Sequence, residues 1–412
     1  MGELMPEEGV ECKANSAALP MAPTLLMLSG TAKYRDGQVE DAAAWFERVL
    51  SLEPQTVEAW WMLGQCCRDL GLHAKAQHCF GEAVRHEPTS PGGRTSRSYG
   101  LLLTGDYRAG WPAYEASRWA GKSRGAHWWN GERIRGHLLL TNEGGYGDAF
   151  MLARWIPWVR QQVGALTVQV QASLVRLLQP QFPGVRVTPV DKQSPRYDRC
   201  AFLGSVPALV HVSDPTQIPR APYLRPTRAY CKVTAPPTSL KVGLVWAGSG
   251  MVRPERRSFP LEDVAPVLGI PGVTFFGLQI GPPALEAANL PGLIHDLSGK
   301  LTDWAATATV LAQLDLLITC DTGIAHLAGA LGRPVWICLP ASAEWRWMLE
   351  RTDTPWYPSA RLFRQPRVGE WPALFREVAA ALEQLVRERG RLSAEGLPLR
   401  ARLYPENAIH TP

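Results

Sequence analysis

The sequence predicts an α/β chain in which a helical repeat region precedes two halves of parallel sheet. Three observations carry that expectation. The N-terminal part matches itself at an offset of 34 residues, short apolar runs begin to alternate with amphipathic stretches near Gly136, and a proline-rich segment at 212–240 divides that alternating region in two. Composition agrees: 412 residues, 46% hydrophobic and 20% charged, describe a globular protein with core enough for two or three domains and exclude disorder as the main theme. The net charge of +5 is too small for the concentrated basic face of a nucleic-acid binder, so no nucleic-acid partner is expected.

At the 34-residue offset Gly30 aligns with Gly64, Gly37 with Gly71, Ala42 with Ala76, Phe46 with Phe80 and Pro54 with Pro88. A third, fainter copy keeps Gly105 and Tyr114. This pattern resembles the tetratricopeptide repeat. Its logic is physical: Gly30 and Gly64 let a second helix pack closely, Gly37 and Gly71 make the turn, and Phe46 and Phe80 fill the gap between helices. The region is placed at 22–124, and the third copy, GDYRAGWPAYEASRW, is expected to cap it and dock on the next domain. A packing adaptor and a peptide-binding groove both remain open readings.

Beyond it, strands are expected at 137–141, 166–170 and 185–190, forming a first α/β domain at 135–212. After a linker at 213–240, a second domain at 241–391 has strands at 241–247, 273–279, 293–297, 314–319 and 335–339. A helix from Trp371 to Arg389 closes it, and 392–412 form a tail. Ligands of such sheets bind beyond the carboxyl ends of the strands, so a cleft between the halves is the expected site. No apolar run is long enough to span a bilayer, and the acidic start MGELMPEEGVE is unlike a secretory signal, so the expected location is cytoplasmic. The eight cysteines lack CxxC spacing and read as buried thiols.

Three constellations carry chemistry. In the first, Gly144, Gly145 and Gly147 make a strand-to-helix turn ahead of Asp148, which suits a carboxylate facing a reacting centre, or equally one that caps the helix. In the second, the buried strand ending at Cys320 leads into Asp321, Thr322, Gly323 and Ile324, whose N–H groups at a helix start would seat a diphosphate. His326 comes one turn on, on the rim of that seat, or as a structural histidine. In the third, Arg253, Arg256 and Arg257 lie in the loop after the first strand of the second half, where they could bind phosphate oxygens.

The segments KVGLVWAGS, RRSFPLEDVAPVL, GLQIG, LTDWAATATVLAQLDLLITCDTGIAHLAGALGRPVWICLP and EWRWMLERTDTPWYPSARLFRQ resemble bacterial tetratricopeptide-repeat glycosyltransferases. These are relatives of the ADP-heptose lipopolysaccharide heptosyltransferases and, more distantly, of O-GlcNAc transferase. The resemblance implies a GT-B fold, two Rossmann-like parallel-sheet domains facing across a cleft, with a nucleotide-sugar donor on the C-terminal half. It implies Asp148 as general base and Ser249, Arg256, Arg257, Gln279, Asp321, Thr322, Gly323, Ile324 and His326 as the donor side, with Arg257 preferred over Arg256. Ser249 stands where many relatives have Asn, and Val252 and Pro254 where they often have polar residues. Arginines and a helix start can stabilise a departing diphosphate, and no DxD motif is present, so inverting transfer without metal or cofactor is expected. The acceptor would be a protein or surface glycan, oriented by the repeats. The rivals are a tetratricopeptide scaffold without turnover and a sugar-nucleotide epimerase. Trp128, Trp129, Trp345 and Trp347 could stack on a ligand, though packing at domain contacts is the expected use.

Overall fold

The computed structural model describes residues 22–89, 91–119, 125–227, 232–248 and 257–394. Six helices come first, in antiparallel pairs: α1 (Pro23–Arg35) with α2 (Val39–Leu52), α3 (Val57–Asp69) with α4 (His73–His86), and α5 (Pro91–Leu103) with α6 (Tyr107–Arg118). The repeat residues act as their types require. A Cβ on Gly30 would stand 2.8 Å from the Phe46 ring, and one on Gly64 would overlap the Phe80 ring, so the glycines admit the rings. Both phenylalanines are buried. Each pair turns on a glycine of positive φ, 79° at Gly37, 75° at Gly71 and 83° at Gly105, which a side chain would strain.

The third pair does more than end the stack. Tyr107 and Trp111 of α6 are buried against Trp345 and Trp356 of the C-terminal half, with Trp111 and Trp345 centroids 5.4 Å apart and edge-on. At the end of α6, Arg118 pairs with Glu143 of the glycine-rich turn, and Trp119 packs 4.5 Å from Trp128. Removing a buried ring of this size costs roughly 3–5 kcal/mol, whereas an ion pair near the surface contributes about 1 kcal/mol or less. Aromatic packing therefore holds this seam.

Two separate sheets come next, both wholly parallel. In the first, β1 (Ile134–Thr141), β2 (Val163–Val170), β3 (Val185–Pro189) and β4 (Arg199–Phe202) run in the order β3-β2-β1-β4. In the second, β5 (Leu240–Val245), β6 (Val273–Gly277), β7 (Ile294–Asp296), β8 (Leu316–Cys320), β9 (Val335–Leu339) and β10 (Ala360–Arg364) run in the order β10-β9-β8-β5-β6-β7. β8 and β9 are buried along their whole length, the signature of a sheet covered on both faces. Strand order reverses between β1 and β4 in one sheet and between β5 and β8 in the other, the switch points beside which such folds bind ligands.

The expected linker is a packed strap. Val212, Ile218, Leu224 and Val233 are buried, and the N–H groups of Tyr223 and Leu224 both donate to the Ala330 carbonyl at 3.1 Å. Within the strap Pro215 opens a short 3₁₀ turn, Pro215–Gln217, capped by Asp214. The closing helix, Trp371–Ala394, covers the second sheet through Leu374, Phe375, Val378 and Leu382. Among the described residues, Cys66, Cys67, Cys79, Cys320 and Cys338 are buried free thiols and Cys200 is half-buried; Cys12 and Cys231 lie outside them. No helix of the described residues is long and apolar enough to cross a membrane.

Candidate functional site

Both switch points open onto the predicted turns. After β1 the chain passes through Asn142 into the glycine-rich turn and the helix α7 (Tyr146–Leu152). Buried Asn142 donates to the Gly144 carbonyl at 2.9 Å and to Gln171 at 3.1 Å, while Gln171 donates to the same carbonyl at 2.8 Å, so two amides pin the turn. After β8 come Asp321, Thr322 and the helix Gly323–Ala330. The turns touch through their glycines. A Cβ on Gly147 would lie 2.6 Å from the His326 ring, and one on Gly323 3.2 Å from Tyr146 and 3.1 Å from Trp304. Each glycine thus admits the opposite helix.

Asp148 has two partners. One carboxylate oxygen accepts the Gly145 N–H at 2.9 Å, the capping role, and the other accepts from Arg346, in the 3₁₀ turn Trp345–Trp347 after β9. Burial alone would raise its pKa, but the Arg346 charge and hydrogen bond outweigh this and hold the carboxyl below its ordinary value. Arg346 is in turn 3.7 Å from Glu344 and lies over the Trp345 ring at 4.7 Å. Nothing in the repeat or strand pattern marks Arg346; its signal in the sequence is an arginine between two tryptophans just past the carboxyl end of a buried strand.

Asp321 is 4% exposed, and burial pushes its carboxyl up to about 6; Arg257 pulls it down, Glu344 adds to the rise, and Arg346 and the Trp347 indole oppose it. Because the folded state holds this proton more tightly than the unfolded chain, the stability it contributes is present below the ordinary value of 3.8 and lost as pH rises through 6. Asp321→Asn is therefore expected to gain on the order of 3 kcal/mol over the parent from about pH 4 to about pH 8. Thermal melts at the two pH values read this, and an equal gap at both would contradict it.

Two donor-side expectations are corrected. Gln279 does not present its amide to a ligand: its oxygen accepts the N–H groups of Trp246 and Ala247 at 3.1 and 2.9 Å, and its nitrogen donates to the carbonyls of Ala247 and Ile280 at 3.0 and 3.2 Å. It staples the end of β5 to the end of β6. His326 is not on a rim but buried, stacked 5.0 Å from Trp347 and hydrogen-bonded with the Tyr357 hydroxyl at 2.9 Å. Burial first, then the Arg346 charge, lower its pKa to about 3, so it is neutral. Thr322 and Gly323 are half-buried and Ile324 is buried at the start of their helix, and Arg257 is half-buried within reach of the Asp321 field. Ser249 and Arg256, with Arg253, lie outside the described residues. Trp129, Trp345 and Trp347 are buried, and half-buried Trp128 packs against Trp119 and Phe202.

A groove of ≈ 1080 Å³ lies between the repeats and the second half. Trp61, Gln65 and Tyr99 line it from the repeats, and Arg257, Glu344 and Trp345 from the second half.

Comparison with known proteins meets these elements. Residues 57–89 match the tetratricopeptide repeat, and residues 284–348 match glycosyltransferase family 9 (heptosyltransferase), a stretch spanning Asp321, His326 and Arg346. The chain is similar to that family over this stretch. It is 29% identical over 417 residues to Protein FlbA of Caulobacter vibrioides, covering 90% of this chain and 68% of that one. Among solved structures, a family 9 glycosyl transferase from Veillonella parvula is similar at 14% identity, TM-score 0.44, over 63% of this chain and all of its own. The E. coli heptosyltransferase WaaC with ADP is similar at 15% identity, TM-score 0.41, over 61% of this chain and 99% of its own.

Proposed function

We propose that the chain is a GT-B glycosyltransferase that moves a sugar from a nucleoside diphosphate donor to a hydroxyl of a protein or surface-glycan acceptor. The observation that carries this reading is the meeting of the two turns, Asp148 from the first sheet beside the Asp321 turn of the family 9 segment. In this reading Asp148 takes the acceptor's hydroxyl proton, the oxygen bonds to the anomeric carbon, and the bond from that carbon to the diphosphate oxygen breaks. A single displacement inverts the anomeric centre. The leaving charge falls to Arg257 and the N–H groups of Thr322 and Gly323, which need no metal ion to act. The acceptor approaches along the groove between the repeats and the second half, so its chain, and not only its sugar or side chain, is read.

A scaffold without turnover is the second reading, and the pairing of Asp148 with Arg346 is what favours it. Thermal-shift measurements with ADP, UDP, GDP, CDP and dTDP test the donor site, since a ligand that binds the folded state alone raises its apparent stability. One nucleotide is expected to raise Tm, with sugar transfer from its diphosphate sugar unaffected by EDTA. No rise with any would remove the donor site; a rise without transfer would leave the scaffold.

A further inference from the structure

A carboxylate gripped by a buried guanidinium is ionised, yet the same grip makes it reluctant to accept a proton. Asp148 is in that position, and the residue responsible comes from the other half of the chain. The groups facing Asp148 are Arg346 from the turn after β9, His326 from the helix Gly323–Ala330, Tyr99 from α5, Tyr114 from α6 and the Gly145 N–H of its own turn. The imidazole and both phenols are neutral near pH 7, so Arg346 is the charge among them.

Arg346 also stands between anions. It hydrogen-bonds Asp148, lies 3.7 Å from Glu344 and acts on Asp321 at the start of the helix Gly323–Ala330. The turn that carries it ends in unusual backbone. Met348 has φ 54° and ψ −167°, a region used almost only by glycine, and Glu350 has φ 50°. Such conformations persist where the surroundings impose them and gather in segments with more than one arrangement.

We propose that Arg346 is a positioning residue with two stations: it holds Asp148 while the site is empty, and it moves to the phosphate oxygens of a diphosphate seated at Asp321–Gly323, which frees Asp148 to accept a proton. This rests on the donor site proposed above. A guanidinium meets two phosphate oxygens in a fork, whereas here it meets Asp148 through a single nitrogen, so a diphosphate competes well for it. The base then works only when the donor is in place. Arg346 itself gives up no proton.

The test tracks the Asp148 carboxyl by ¹³C NMR in the full chain labelled at aspartate, its signal assigned by loss in Asp148→Asn. In the parent the signal keeps its ionised position as pH falls into the ordinary aspartate range and titrates below it. In Arg346→Gln, where the main opposition to burial is gone, it titrates at a higher pH than in the parent; Arg346→Lys, which keeps the charge, restores the parent behaviour. Saturating inorganic pyrophosphate moves the parent midpoint upward. An unchanged midpoint in a folded Arg346→Gln overturns the hold on Asp148. Bound pyrophosphate that leaves the parent midpoint in place overturns the release, and that arm decides the matter even where the Gln variant does not fold. Failure of pyrophosphate to perturb any signal removes the donor seat and the release with it, while the Gln variant still decides the hold.

Discussion

Asp148→Asn is expected to lower sugar transfer roughly 10²- to 10⁴-fold, the range general-base catalysis contributes, while nucleotide binding persists. Asn matches Asp in size and its oxygen can still accept the Gly145 N–H, so the turn stays pinned by Asn142 and Gln171. What is lost is the site for the acceptor's proton. The change also takes from Arg346 the nearer of its two carboxylate partners, leaving Glu344 at 3.7 Å, which lowers stability, so activity is compared below the melting range of both proteins. In the parent, kcat/KM should hold on the acid side down to the depressed carboxyl value, because transfer needs Asp148 ionised in the free enzyme. Steady-state transfer and a nucleotide thermal shift, measured on the same preparations, check the pair of expectations. Full transfer by the variant would remove Asp148 from the chemistry.

The largest expected effect on stability is at Arg154. Its side chain is 4% exposed and donates to the carbonyls of Met151, Pro219 and Trp356, each at 2.9 Å, and to the Tyr223 hydroxyl at 3.1 Å. The rings of Tyr223, Trp356 and Tyr357 lie 4.6 to 5.2 Å from its guanidinium carbon, so carbonyl oxygens and ring faces solvate the charge. One guanidinium thus joins the first domain, the strap and the second domain. Arg154→Met keeps much of the volume but leaves buried carbonyls unpaired in all three, an expected loss of roughly 3–5 kcal/mol. Arg154→Lys should recover little, because a compact ammonium cannot span those acceptors. Chemical or thermal unfolding reads this, and a loss below about 1 kcal/mol would show that the three segments are held by other contacts.

The parts of this molecule that the sequence exposes are those governed by local periodicity. Gly64 and Phe80, or the apolar run of β8, announce themselves because each obeys a spacing within one element. β10 does not, because Arg361 and Arg364 interrupt an edge strand buried at Leu362 and Phe363. The two turns are legible since glycine and a short acid must stand together there. Their supports are not: Arg346 and Asp148 are 198 residues apart, and Arg154 and Trp356 202, and no pattern within either stretch requires the pairing. Gln279 is legible as a residue near the site but not in its role, because a side chain at the end of a strand can serve the neighbouring strand's backbone as well as a ligand.

The aromatic seam beneath the third helical pair decides where this molecule can be recombined. By descent of pattern α5 and α6 are repeats, but Trp111 and Tyr107 make them a wall of the two-sheet body. A crossover placed at the end of the repeats, near residue 125, would strip that wall away. One placed between α4 and α5 would leave it standing, so helical pairs could be added or exchanged upstream of Pro91 to lengthen or re-letter the groove without disturbing the pairing of Asp148 with Arg346.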